Sequence, residues 1–206
     1  NLSVVYSPRI RYKIVRKNII NGWYIFADDE KDEMRRSILI SIVQMIKEGQ
    51  KSFTVSMANQ SLVEILKNDW PEKWPTFLEE LLLTCQTEGI QFLKNALDIL
   101  QMLAEEIPSS NSSVGTINMP YYITRERQRS IKGAFIKELP TIYTIVENAF
   151  NLNQNSSELS IADINEINNK SLKTLECLIP VVGTERLLET PLVSGIAQLL
   201  LSDEFT

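Results

Sequence analysis

Two Trp-Pro pairs, Trp70-Pro71 and Trp74-Pro75, stand four residues apart between two helically periodic segments. A residue that precedes proline is pushed out of the α region, so the helix before the pairs should stop at about Trp70. Pro75 has its φ preset and no N–H to leave unsatisfied, which suits the first position of a new helix. The stretch therefore predicts a tight helix–turn–helix corner. Trp70, Trp74 and Phe77 are large enough to fill the wedge between its two helices.

The same helical spacing of apolar residues runs along nearly the whole chain. Tyr12, Val15, Ile19 and Trp23 predict a first helix over 8–25. Asp28, Asp29 and Glu30 supply an acidic first turn to a second, with Met34, Ile38, Ile42 and Met45 inward and Gly49 as its stop. A third opens at Ser52, with Ala58, Leu62, Ile65 and Leu66 inward. A fourth starts at Pro75, buries Phe77, Leu78, Leu81, Leu82 and Cys85, and ends at Gly89. A fifth carries Leu93, Ala96, Leu97, Leu100, Leu103 and Ile107, and Pro108 ends it.

Residues 108–120 are rich in serine and asparagine and predict a loop. A long segment over 124–150 follows, with Pro140 inside it to kink or split it. Residues 151–160 predict a second loop. Ile164, Ile167, Leu172, Leu175 and Leu178 mark a helix that ends near 180–183. Leu192, Ile196, Leu199 and Leu200 mark a last helix, with Pro191 in its first turn.

Paired helices recurring at roughly 40 residues are the signature of HEAT or armadillo repeats. The expected fold is all-α, a right-handed HEAT-repeat α-α superhelix (solenoid), with approximate repeats 9–48, 52–88, 90–150 and 163–202. Such pairs cannot bury their apolar faces alone, so they stack on their neighbours. A closed helical bundle is the alternative. The chain opens at Asn1 on a helical pattern and stops just after one, as expected of a segment of a longer chain.

Composition excludes several function classes. The 206 residues carry 21 basic and 26 acidic side chains, net −5, which argues against direct nucleic-acid binding. There is no histidine, so the usual general base near neutral pH and the commonest metal ligand are missing. Partner binding is accordingly expected to vary little between about pH 6 and 8. Cys85 and Cys177 stand far apart in helical patterns and read as reduced, buried, structural thiols. No apolar run is long enough for a membrane helix, and there is no signal peptide. The sequons at Asn59, Asn111, Asn155 and Asn169 read as chance, since two fall inside predicted helices. Phosphate loops, Gly-x-Gly-x-x-Gly, Cys-x-x-Cys and the serine elbow are all missing from the sequence, so no catalytic residue is assigned. Glu105-Glu106 and Asp28-Asp29 are adjacent carboxylates that point apart on a helix. The run Thr124–Lys132 is the most basic stretch. It reads either as a solvated helix start or as a contact for an acidic partner. Basic residues in a first turn oppose the helix dipole.

The corner also carries a family resemblance. Trp70-Pro71-x-x-Trp74-Pro75-x-Phe77, preceded by Leu62-Val63-Glu64-Ile65-Leu66-Lys67, resembles the exportins of the importin-β (karyopherin) superfamily. Among them it is most similar to the exportin for leucine-rich nuclear export signals. Asn18-Ile19-Ile20-Asn21-Gly22-Trp23, Leu103-Ala104-Glu105-Glu106-Ile107, Thr174-Leu175-Glu176-Cys177-Leu178-Ile179 and Leu188-Glu189-Thr190-Pro191-Leu192-Val193-Ser194 extend the resemblance over nearly the whole chain. The chain departs from the pattern at residues 108–120, at Pro140 and in the asparagine-rich stretch after Phe150.

The resemblance implies a nuclear export receptor that shuttles between nucleus and cytoplasm through the nuclear pore, touching nucleoporins. It implies cooperative binding of cargo with the GTP-bound Ran GTPase, and no cofactor, metal or membrane. Cargo with a leucine-rich signal would bind repeats outside this chain. The second helices of the early repeats, here about 30–47 and 75–88, would face the GTPase. Their charges Arg35, Arg36, Lys47, Glu79 and Glu80 would be candidate GTPase contacts. Three alternatives stand beside this reading. One is another karyopherin, whether an exportin for tRNA, small RNA or protein, or an importin. Another is a HEAT scaffold unrelated to transport, such as a phosphatase or microtubule-associated scaffold. The third is an enzyme.

Overall fold

Helical periodicity governs every element. A computed structural model describes residues 8–107, 124–155 and 159–188, with no strand among the described residues. α1 (Pro8–Gly22) tightens into a 3-10 turn at Trp23–Ile25, where one continuous helix was expected. α2 (Asp28–Lys47) begins where the Glu30 carboxylate accepts the Ala27 N–H at 2.9 Å. Three acidic residues in its first turn complement the helix dipole. It stops before Gly49, whose φ of 63° lies in the left-handed region that glycine enters without strain.

α3 (Ser52–Asp69) ends at Trp70, as the following proline requires. α4 (Phe77–Glu88) starts at Phe77 rather than at Pro75. The carbonyl of Asp69 accepts N–H groups from Lys73 (2.7 Å) and Trp74 (3.3 Å), and that of Trp74 accepts Phe77 N–H at 3.4 Å. These bonds keep the corner wound in turns until Phe77. The Trp70–Pro71 peptide is cis. Only Gly89 separates α4 from α5 (Ile90–Glu105), and its φ of 78° lies in the left-handed region that glycine enters without strain.

The long segment after Thr124 is two helices, α6 (Arg125–Lys137) and α7 (Leu139–Asn155). Pro140 falls in the first turn of α7, where a missing N–H leaves no ladder bond unmade. Residues 151–155, expected as loop, belong to α7. Asparagine is a modest helix former, at most about 0.7 kcal/mol worse than alanine, and that does not end a helix already nucleated. α8 (Ile161–Val182) is capped by Ser160, whose Oγ accepts the Asp163 N–H at 3.1 Å. The helix runs through Pro180 and stops at Gly183, because buried Leu178, Val181 and Val182 hold its last turn in place. A short α9 (Thr184–Leu188) follows. The predicted loop at 108–120 and the last predicted helix lie outside the described residues.

The described residues divide into two units, one of 8–77 with 124 and one of 78–107 with 125–155 and 159–188. In the first, α3 packs against both α1 and α2. Ile19, Trp23, Ile38, Ile42, Leu62, Ile65, Leu66, Trp70, Trp74 and Phe77 are buried there. Trp74 and Phe77 meet edge to face, with ring centroids 5.1 Å apart. In the second unit α5 packs against α7 and α8, and α6 packs against both α7 and α8. Phe92, Leu97, Leu100, Phe135, Ile142, Val146, Ile167 and Leu178 are buried there. Each such side chain contributes about 1.5–3 kcal/mol by leaving water.

Charge fixes how α5 lies on α8. Lys94, nearly buried, donates to Asp163 Oδ1 at 2.8 Å and to Glu166 Oε2 at 2.6 Å. One turn on, Lys170 pairs with Asp98. Thr174 Oγ1 donates to the Leu97 carbonyl at 3.3 Å and to its own helix at Lys170 O, 2.8 Å. Burial works against the Lys94 ammonium, but the hydrogen bonds to Asp163 and Glu166 outweigh it and hold its pKa above the usual lysine value. Its hydrogen bond from Lys94, then that from Ser160, holds Asp163 below the usual carboxylate value. A raised lysine contributes stability that is lost as pH rises past about 10, and a lowered aspartate contributes stability that is lost as pH falls below about 4. The denaturation midpoint of the chain should therefore be level through neutral pH and fall at both ends, and Lys94→Met should make both limbs shallower. Unchanged limbs in Lys94→Met would rule this pairing out as their source.

Candidate interaction surfaces

The charges on α2 sort by helical position into two sets with different work to do. Arg35 is 9% exposed and belongs to the packed side. Its guanidinium pairs with Asp69 at the end of α3 and with Asp32 one turn back on α2. The second oxygen of Asp69 accepts the indole N–H of Trp23 at 2.7 Å. Arg35 is therefore not the exposed partner contact expected from the sequence. It is held inside the first unit, because a buried guanidinium needs an anion and Asp69 supplies it.

Arg36 and Lys47 do reach the surface. They share a stripe of α2 with Glu33, Ser37, Ile40 and Gln44, spaced three or four residues apart. Ile40 stands in the middle of that stripe, 68% exposed. On α4, Glu79 is exposed and Glu80 half-buried. The exposed side of α4 continues through Leu83, Gln86 and Thr87, and Leu83 is 61% exposed. Each helix thus presents one large apolar side chain flanked by polar and charged ones, the composition of a small protein-binding patch. The sequence reading overlooked Ile40 and Leu83. The signal was available, since each falls off its own buried stripe: Ile38, Ile42 and Met45 on α2, and Phe77, Leu78, Leu81 and Cys85 on α4.

Of the structural signature residues, Trp70, Trp74 and Phe77 are buried, Pro71 is half-buried and Pro75 exposed, so the corner is built from within. A second buried anchor lies along α3. Glu64, largely buried, receives Arg16 from α1 at 2.9 Å and Lys67 at 2.9 Å, and Arg16 also donates to Gln60 at 3.1 Å.

Nothing in these surfaces is arranged for bond chemistry. Burial pushes the Cys85 thiol up to about 12. Burial, then the hydrogen bond to Glu105, pushes Cys177 up to about 11. Neither is a thiolate near neutral pH, and the thiolate is the nucleophile. No group of three His, Cys, Asp or Glu that could hold a metal occurs among the described residues.

Helices packed in succession along the described residues, with no strand among them, define a HEAT-type helical-repeat protein. The family model described as exportin 1-like protein matches residues 51–206. The chain is 27% identical over 111 residues to Protein EXPORTIN 1B of Arabidopsis thaliana, covering 52% of this chain and 10% of that protein. It is 26% identical over 108 residues to Exportin-1 of Schizosaccharomyces pombe, covering 48% and 10%. Against Exportin-1 of Drosophila melanogaster it is 22% identical over 148 residues, covering 68% and 13%. The chain belongs to the exportin 1-like family, a family of nuclear export receptors. It spans about a tenth of the length of the curated relatives it matches.

The two neighbouring arginines of α2 should separate cleanly on substitution. Arg36→Glu should change stability by no more than about 0.5 kcal/mol. Arg35→Glu places a second carboxylate beside Asp69 and should destabilise the chain by about 3 kcal/mol or more, read by urea denaturation. Equal effects of the two would contradict the assignment of Arg35 to the interior.

Proposed function

We infer that the chain is a segment of a nuclear export receptor that binds cargo together with the GTP-bound Ran GTPase and carries it through the nuclear pore. The match to the exportin 1-like family over residues 51–206 carries this reading. Approximate repeats 9–48, 52–88, 90–150 and 163–202 are the stacking units. The exposed sides of α2 and α4 supply GTPase contacts. Arg36, Lys47, Glu79 and Glu80 provide charge there, and Ile40 and Leu83 provide the apolar anchors. Cargo with a leucine-rich signal binds repeats outside this chain, and nucleoporins are met during passage. The whole receptor shuttles between nucleus and cytoplasm.

The mechanism is thermodynamic linkage. In a helical-repeat protein each repeat touches only its neighbours, so curvature changes at small free-energy cost. Two ligands that favour the same curvature raise each other's affinity by the same factor, typically about 5–150-fold. Hydrolysis of the GTP removes one ligand and loosens the other.

The test is capture of the full-length parent chain on the GTPase loaded with GTP or GDP, with and without a leucine-rich export peptide. Binding that requires GTP and is strengthened by the peptide is expected. Ile40→Asp and Leu83→Asp should each weaken it about tenfold or more while leaving the fold intact, since anchors at patch centres dominate binding. GTP-dependent binding that cargo weakens would instead identify an importin-type relative. Failure of both nucleotide states to bind would leave a HEAT scaffold without a transport role.

A further inference from the structure

α6 is built against its own interest. In thirteen residues it carries Arg125, Arg127, Arg129, Lys132 and Lys137 against the single acid Glu126, inside a chain whose net charge is −5. Arg127 is half-buried and makes a contact within the chain. Arg125 and Arg129 are exposed and Lys132 is half-buried. Their spacing of four and three residues aligns them along one stripe of the helix. Like charges at that spacing repel, and cations near a helix N-terminus oppose its dipole. Among the described residues, none of the three has an acidic partner. Elsewhere, by contrast, Arg16, Arg35, Lys94 and Lys170 are each met by a carboxylate. Residues 108–123, the stretch just before α6 in sequence, contain no aspartate or glutamate that could serve.

A second, independent feature lies on the same exposed side. Gly133 is solvent-exposed in the middle of α6, beside Lys132. A Cβ built on it meets nothing within 4 Å. Glycine inside a helix is destabilising relative to alanine. Here no neighbour among the described residues requires it. Cations that meet no acid among the described residues and a glycine with open space around it are two local departures from a self-sufficient helix, and such departures mark functional sites.

We propose that the exposed side of α6 is a docking site for an acidic, extended peptide segment of a protein partner. Arg125, Arg129 and Lys132 receive its carboxylates, and its backbone passes close over Gly133. Arginine suits the task because its planar fork holds a carboxylate at two points. The site uses none of the residues assigned to the GTPase contacts on α2 and α4, and its test does not depend on them.

The test uses the 206-residue chain and a fluorescent peptide of alternating glutamate and glycine, followed by anisotropy. The peptide should bind in a salt-sensitive manner. The charge reversal R125E/R129E/K132E should weaken it about tenfold or more. The neutral variant R125Q/R129Q/K132Q should also weaken it while keeping the native helical circular dichroism. Reversal of the exposed α1 lysines, K13E/K17E, should leave binding as it was. Gly133→Ala should raise the melting temperature yet weaken the peptide, opposite directions that a merely structural glycine would not give. The proposal is overturned if the α6 reversals keep full affinity, if K13E/K17E is as damaging, or if Gly133→Ala leaves binding unchanged. It is overturned as well if a single-stranded oligonucleotide binds more tightly than the peptide, since the site would then be one for nucleic acid.

Discussion

The carboxylate of Asp69 joins three elements at the point where the chain turns. One oxygen takes the Trp23 indole N–H at the end of α1, and the other takes the Arg35 guanidinium from α2. The main-chain carbonyl of the same residue receives Lys73 and Trp74 and so winds the Trp-Pro corner. Without this one residue the buried Trp23 indole N–H would lose its acceptor, and the buried Arg35 guanidinium would keep only the half-exposed Asp32. Leaving such groups unmet costs more than the bonds themselves contribute. The buried aromatic side chains give the corner its bulk, and Asp69 decides how the three pieces are oriented around it.

The second unit solves the same problem with different residues. Lys94 reaches Asp163 and Glu166 from α5 to α8, and Asp98 answers with Lys170. A helix that packs through aliphatic side chains such as Leu93, Leu97 and Leu100 can slide along its neighbour by a turn at little cost. A nearly buried ammonium cannot, because every other register leaves it unpaired. In both units apolar burial drives association and a small number of paired charges selects the register. Exposed charges such as Arg36 on α2 and the ridge on α6 take no part in selecting these registers.

Much of this was legible in the amino-acid order. Stripes such as Ile38, Ile42 and Met45 placed the helices, and Pro71, Gly49 and Gly89 placed their ends. The corner was visible because proline acts on the residue before it. Its exit was misplaced by two residues, since the bonds to the Asp69 and Trp74 carbonyls are not written in local propensity. The same limit explains Arg35. Neighbouring Arg35 and Arg36 look equivalent in sequence, but they point about 100° apart on a helix, and only the fold reveals that one of them meets Asp69. The helix end expected near 180–183 falls at Val182, and burial of Val181 and Val182 carries the helix through Pro180 to reach it. Ile40 and Leu83 were hidden by their apolar character, which drew attention to the core rather than to the surface.

The measurement that bears most directly on this account is a double-mutant cycle between Arg35 and Asp69, using Arg35→Met, Asp69→Leu and the double variant in urea denaturation. The account predicts that each single change is strongly destabilising, that the double variant recovers part of the loss, and that the coupling exceeds about 1 kcal/mol. Single effects that add to within about 0.5 kcal/mol would mean that the pair acts independently and that Asp69 does not organise the corner.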